Sequence, residues 1–139
     1  MTNTESLFLP ASDRADEAAM VAHAIDCINS FTDAFNRRDL ESMDANLHFP
    51  HIILSGEQLV VWEKPGQLPA SFFDELEARS GWNRTIYHDK KVVLVSPRKV
   101  HLVVRYSRNR GDNSIITMHE NLWIVTEDAG RWAIKQRSY

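Results

Sequence analysis

Beyond Trp82 the chain runs as four long segments, Thr85 to Ser96, Lys99 to Asn109, Ser114 to Thr126 and Arg131 to Tyr139, in which Val, Ile and Thr alternate with polar residues. A period of two sends successive side chains to opposite faces of a sheet, so each segment reads as a strand buried on one side. The breaks between them, Ser96-Pro97-Arg98, Arg110-Gly111-Asp112 and Glu127-Asp128-Ala129-Gly130, are far too short for a crossover helix. Consecutive strands must therefore pair antiparallel. With 139 residues in all, a meander of this length leaves room for one domain, and 43% hydrophobic residues are enough to give it a packed core.

The part before the meander reads as helices. From Asp13 to about Arg37, Ala18, Val21, Ile25, Ile28 and Phe35, reinforced by Ala22 and Phe31, recur at three- and four-residue steps, the pattern of one helix with a buried stripe. Asp39 follows the basic pair Arg37 and Arg38 and can cap a short second helix carrying Leu40, Met43 and Leu47, ended by Pro50. Ile52 to Ser55 and Gln58 to Trp62 flank Gly56-Glu57 and form a hairpin with Gly56 in the positive-φ turn position. Pro69 opens a third helix with Phe72, Phe73 and Leu76 on one side and Gly81 as its cap. The order predicts an α+β fold in which three N-terminal helices pack on one face of a strongly curved, mainly antiparallel sheet. Residues 1–12 read as a flexible tail and 13–139 as the domain.

If the Gly111 hairpin has an even-numbered loop, Val100, Leu102, Val104 and Tyr106 share a face with Ile115, Thr117, His119, Asn121, Trp123 and Val125. The same argument at Gly130 adds Trp132, Ile134, Gln136 and Ser138; an odd loop would flip one strand. This face collects the aliphatic block and the late tryptophans and so lies under the helices. One end of it stays polar: Tyr106, Thr117, His119, Asn121, Gln136 and Ser138. Buried polar groups cost about 1–3 kcal/mol each when unpaired, so the cluster satisfies itself, holds water, or meets a ligand. Met118, Leu122 and Ile124 on the opposite face are too apolar for plain solvent, and a homodimer through the outer sheet face would cover them.

Six histidines draw attention because imidazole moves protons near neutral pH. His48 and His51 form H-x-x-H around Pro50, which spoils a shared helical aim, and no third ligand stands at metal spacing, so no metal site is expected. His51 faces Trp62 across the hairpin, as a stacking pair or as a ligand contact. His119 is the candidate acid or base, with Tyr106 and Asn121 as donors to a carbonyl or oxyanion; it also reads as a core histidine bonded to Asn121, Tyr106 or Gln136. One of His88 and Asp89 should face the side of Tyr106, and an inward Asp89 would make a carboxylate–imidazole pair.

Other chemistries are excluded. A formal charge of −3 removes the field a nucleic-acid binder needs, and no apolar run approaches the ~20 residues of a membrane span. Neither G-x-G-x-x-G, nor a P-loop, nor G-x-S-x-G occurs, and no cofactor is expected. A single cysteine, Cys27, excludes an internal disulfide and fits a cytoplasmic protein with a buried thiol. Met1 to Pro10 shows no secretory pattern.

Phe35-Asn36-Arg37-Arg38-Asp39-Leu40 is similar to the F-N-x-x-D helix junction of the nuclear transport factor 2-like superfamily. Leu122-Trp123-Ile124-Val125 with Gly130-Arg131-Trp132-Ala133-Ile134 resembles its closing hairpin. The resemblance covers about Asp13 to Ser138. It implies a conical pocket between helices and concave sheet and a dimer through the outer face, with SnoaL-like cyclases, dehydratases and ketosteroid isomerase as relatives. The isomerase tyrosine of the first helix is missing, since Phe31 and Phe35 stand on that helix. The expected function is binding of a small apolar or aromatic molecule, with acid/base chemistry at His119, Tyr106 and Asn121. The walls would come from His51, Trp62, His88, Asp89, Thr117, Trp123, Trp132, Gln136 and Ser138. The alternative is a non-catalytic dimeric interaction module.

Overall fold

The computed structural model describes residues 16–139; the tail assigned to residues 1–12 and the helix start at Asp13 lie outside them. The elements are α1 (Glu17–Asn36), α2 (Leu40–Ala45), β1 (Leu47–Ser55), β2 (Gln58–Trp62), α3 (Phe72–Ser80), β3 (Arg84–Ser96), β4 (Lys99–Asn109), β5 (Ile115–Asp128) and β6 (Arg131–Ser138). They form one curved six-stranded sheet of order β2-β1-β6-β5-β4-β3, antiparallel except where β1 runs parallel to β6. Helices cover its concave face, as the residue pattern predicts.

α1 begins at Asp16, whose carboxylate accepts the Ala19 N–H, and buries Met20, Ala24, Cys27, Ile28, Phe31 and Ala34. The F-N-x-x-D junction has a physical reason in each residue. Phe35 packs edge-on against Phe72, Phe73 and Trp82. The Asn36 amide donates to the Thr85 carbonyl at 2.9 Å and accepts the Thr85 N–H at 2.8 Å, mimicking a strand partner for β3. Arg38 turns the chain at φ +60°, and Asp39 caps α2 by accepting from the Ser42 N–H and hydroxyl. Hydrogen bonds from Ser42 hold the Asp39 carboxyl below its ordinary value.

Two boundaries differ from the sequence reading. α2 stops at Ala45, so Leu47 and Pro50 belong to β1 and not to a helix and its terminator. Asn46 closes the helix by donating to the Ser42 carbonyl, and its own carbonyl accepts the Ile134 N–H of β6. α3 starts at Phe72, with Pro69 in the preceding turn, where its carbonyl accepts the Phe72 N–H.

The register of the long strands explains what the inner face holds. Between β4 and β5, Val100 pairs with Val125, Leu102 with Trp123, Val104 with Asn121 and Tyr106 with His119, the arrangement expected. Its premise fails: the loop spans the five residues between Asn109 and Ile115, an odd number, and a bulge at Ile116 restores the phase only from Thr117 on, so Ile115, expected on the inner face, lies opposite Asn109 on the outer one. At the next hairpin the opposite happens. Ala129 and Gly130 form the even loop, both at positive φ, and Val125 pairs with Ile134 as expected. Past a bulge at Lys135, however, Trp123 faces Arg137 while Ile124 faces Gln136 and Leu122 faces Ser138. The expected inward placement of Gln136 and Ser138 is therefore corrected: both lie on the outer face, and Arg137 takes the inner one.

Candidate functional site

The concave face is closed at one end by a core of Val100, Leu102, Val125 and Ile134, each 0% exposed. At the other end two adjoining cavities remain, of about 160 and about 40 Å³, sharing Phe31, Phe35, Arg108, Arg137 and Tyr139 as walls. The larger adds Met43, Asp44, Leu47, Ile53, Trp62, Leu68 and Phe72 and opens beside α2 and α3. The smaller reaches inward to Tyr87, Tyr106 and Trp123.

Arg137 is 7% exposed and stands between them. Its guanidinium carbon lies 5.2 Å from the Phe31 ring centre and 5.8 Å from those of Trp62, Trp123 and Tyr139, so four aromatic rings surround it. Its Nε donates to His51 Nε2 at 3.0 Å and Nη1 to the Tyr139 hydroxyl at 3.0 Å. His51 is fully buried and bonds through Nδ1 to the Ile134 carbonyl at 3.0 Å. A carbonyl only accepts, so Nδ1 carries the proton and the Nε2 lone pair receives the arginine. Burial first, then the Arg137 charge, pushes the His51 pKa down to about 3. His51 is thus a fixed neutral acceptor that aims Arg137. Its ring is tilted against Trp62 at 5.8 Å, so the expected pair across the hairpin forms.

Among the described residues no carboxylate pairs with Arg137 or Arg108. Asp44 lines the outer cavity, but its Oδ2 accepts the Gly66 N–H at 2.9 Å. Two further donors are buried without acceptors, Arg108 Nε and Trp123 Nε1, and both residues line the cavities.

The sequence-predicted residues divide. Tyr106 and Trp123 line the inner cavity and Trp62 the outer one, while His51 sits behind Arg137. His119 stacks on Tyr106 at 4.9 Å and 12°, with its Nε2 2.7 Å from the Thr117 hydroxyl. Asn121 Nδ2 donates to the Tyr106 hydroxyl at 2.8 Å. His119, Asn121 and Thr117 thus reach the cavity through Tyr106 and do not wall it. Burial and the Arg108 charge hold His119 below the ordinary imidazole value, and burial pushes the Tyr106 phenol up to about 12.

Neither His88 nor Asp89 points inward. Tyr87 faces Tyr106, His88 occupies a bulge, and Asp89 pairs with Arg105 on the outer face. His88 Nε2 contacts the fully buried Ser107 hydroxyl at 2.7 Å, which itself donates to Asn109. Trp132 stacks on His23 of α1 at 6.0 Å, away from the cavities. His48 and His51, three apart on a strand, turn to different partners: His48 bonds the Thr126 carbonyl and Arg131. No group of three His, Cys, Asp or Glu side chains among the described residues could hold a metal ion.

Sequence reasoning missed Arg137, Arg108 and Tyr139. The available signal was Tyr139 itself, an aromatic ring out of phase with Trp132 and Ile134, which marks a change of register within β6.

No protein-family model matches the sequence, and no curated protein matches it. Solved structures do match in shape. A cystatin-like fold protein of unknown function from Nostoc punctiforme superposes with a TM-score of 0.67 at 10% identity, covering 94% of this chain and 92% of its own. An NTF-2 like protein of unknown function from Shewanella oneidensis gives 0.64 at 12%, covering 85% and 96%. A Catenulispora acidiphila protein in complex with S-DNPA gives 0.64 at 12%, covering 87% and 92%. The chain has the NTF2-like, cystatin-like cone fold. Among the described residues no helix is long and apolar enough to cross a membrane.

Proposed function

We propose that this protein is a small-molecule-binding domain whose site is the aromatic-walled cavity between the helices and the concave sheet. The observation that carries the reading is the unfilled volume of about 160 Å³ beside a core that is otherwise closed. An apolar cavity of about 150 Å³ is enough to hold benzene, so the space suits a ligand of about one ring in bulk. That the Catenulispora neighbour is in complex with S-DNPA supports a ligand-binding use of the fold. Within the pocket Tyr106 is the donor, protonated at every physiological pH, for proton transfer of the isomerase, cyclase or dehydratase kind, with Asn121 bonded to its hydroxyl and His119 stacked behind its ring as supports. Leu59, Val61 and Met118, between 46% and 65% exposed on the outer face, support self-association there.

Binding is tested by protein-observed NMR with neutral one-ring probes, benzyl alcohol and benzamide. Saturable shifts centred on Phe31, Trp62 and Tyr139, abolished in a Leu68→Trp variant that fills the mouth, are expected. Shifts scattered over the surface, or unchanged in that variant, overturn the reading. If Tyr106→Phe and His119→Ala leave the turnover of a found substrate unchanged, the proton-transfer assignment fails while the pocket stands.

A further inference from the structure

We infer that the natural ligand of this pocket is a monoanion, a carboxylate on an apolar or aromatic body, with its carboxylate held between the guanidinium groups of Arg137 and Arg108. The inference rests on the pocket being a binding site and adds the chemical class of what it takes. It begins with a count of donors. A guanidinium carries five N–H groups; Arg137 uses one on His51 and one on Tyr139, and three are left without a protein acceptor. Arg108 Nε and Trp123 Nε1 add two more buried N–H groups with no partner. The Tyr106 hydroxyl already accepts from Asn121, so its own proton is also free to be given. The one acid, Asp44, stands at the rim, and the buried side-chain atoms of the cavity walls that lack a partner are all donors. Water would relieve some of them, but only an acceptor-rich group relieves them together.

Charge makes the same demand. A cation this far from solvent is stable when paired, and aromatic faces and a neutral imidazole do not cancel its charge. Arg137 and Arg108 bring two positive charges to the cavity walls, and Asp44 at the rim brings one negative charge, itself engaged with Gly66. One positive charge is left over, which a monoanion balances. Among anions, the flat carboxylate matches the edge of a guanidinium in two parallel hydrogen bonds. Phe31, Phe35, Phe72 and Trp62 would then flank the ligand's body in the outer cavity. His51 is a positioning residue here: it fixes Nε and so decides which edge of Arg137 faces the ligand.

The test uses pairs of equal shape, benzoate with benzamide and 3-phenylpropanoate with 3-phenylpropanamide. Each is titrated into wild type, Arg137→Met and Arg108→Gln by calorimetry and NMR in a carboxylate-free buffer. The acids should bind wild type about 10-fold or more tighter than their amides, on the scale of one charge-assisted bidentate pair. That preference should vanish in Arg137→Met and shrink in Arg108→Gln, because in each variant the acid loses far more affinity than its amide. Equal binding of acid and amide to wild type overturns the anion inference and leaves the pocket intact. An acid preference that stays undiminished in Arg108→Gln, or that survives in Arg137→Met where it folds, overturns it as well. If Arg137→Met does not fold, Arg108→Gln decides alone, since Arg108 is half-buried and makes no side-chain hydrogen bond that the fold depends on. Wild type that binds neither member of any pair at millimolar concentration overturns both the inference and the pocket.

Discussion

His51 should make the stability of this protein fall steeply in mild acid. In the folded chain its pKa lies near 3, because the ring is buried and faces the Arg137 charge. In the unfolded chain it returns to about 6.5. Between those values the unfolded state binds a proton that the folded state refuses. Stability from this group is therefore complete above about pH 6.5 and is lost as pH falls toward 3, at about 1.4 kcal/mol per pH unit. From pH 6.5 to 4.5 the loss is about 2 kcal/mol, or roughly 6–10 °C in Tm for a domain of this size. His119 and His101, also held low by burial, act in the same direction. Asp39 and Asp112 are held low as well by their serine hydrogen bonds, and what they contribute is lost only as pH falls through the ordinary carboxylate range, below the interval from pH 6.5 to 4.5. A His51→Gln variant keeps an acceptor for Arg137 and cannot titrate, so subtracting its pH profile isolates His51. Urea melts of both chains at pH 6.5, 5.5 and 4.5 read the difference. Parallel profiles, or an NMR titration placing the native His51 above pH 5, would refute the neutral-acceptor role and with it the fixed aim of Arg137.

Other outcomes follow from single contacts. Asn36→Ala removes both bonds to Thr85 and leaves a part-buried N–H and carbonyl unpaired, so urea melts should show a loss of about 2 kcal/mol with little change in ligand affinity. Cys27, 6% exposed with its thiol pushed by burial up to about 11, should resist alkylation at pH 8 in the native state and react on addition of denaturant; fast native labelling would contradict its burial. Leu122→Glu places a charge in the middle of the apolar outer face, and sedimentation should then report a monomer at concentrations where wild type self-associates.

The fold was legible because it is written in long-period signals. Alternation over more than ten residues in each of β3, β4 and β5 and the buried stripe of α1 leave few arrangements of the chain. The junction from Phe35 to Asp39 was also readable as a pattern, although only the structure gives its reason, since Asn36 acts on Thr85, 49 residues away. Short elements were less legible. Whether Leu47 ends a helix or starts a strand depends on the Ile134 N–H reaching the Asn46 carbonyl, a contact that no local preference encodes.

The site was half legible, and the dividing line is a single residue. Face assignment by counting from a turn assumes an unbroken ladder, and one extra residue inverts everything beyond it. At Ile116 the insertion happened to compensate an odd loop, which left Tyr106, His119 and Asn121 where counting put them. At Lys135 nothing compensated, and counting exchanged Arg137 for Gln136 and Ser138. That exchange alters the chemistry expected of the pocket. Gln136 and Ser138 would have given a neutral polar lining able to satisfy itself, with His119 as its main titratable group. Arg137 instead brings a permanent charge that no described acid answers, and it locks His51 neutral. On the proposed reading, Arg137 would recognise charge where the two cavities adjoin, and Tyr106 would transfer a proton from the wall of the inner one. A ligand anchored by its carboxylate at Arg137 would present its body either to Phe72 or to Tyr106, and the orientation decides between simple binding and turnover. Nuclear Overhauser contacts from bound 3-phenylpropanoate to the Tyr106 ring would favour turnover, whereas contacts to Phe72 alone would mark a carrier or sensor.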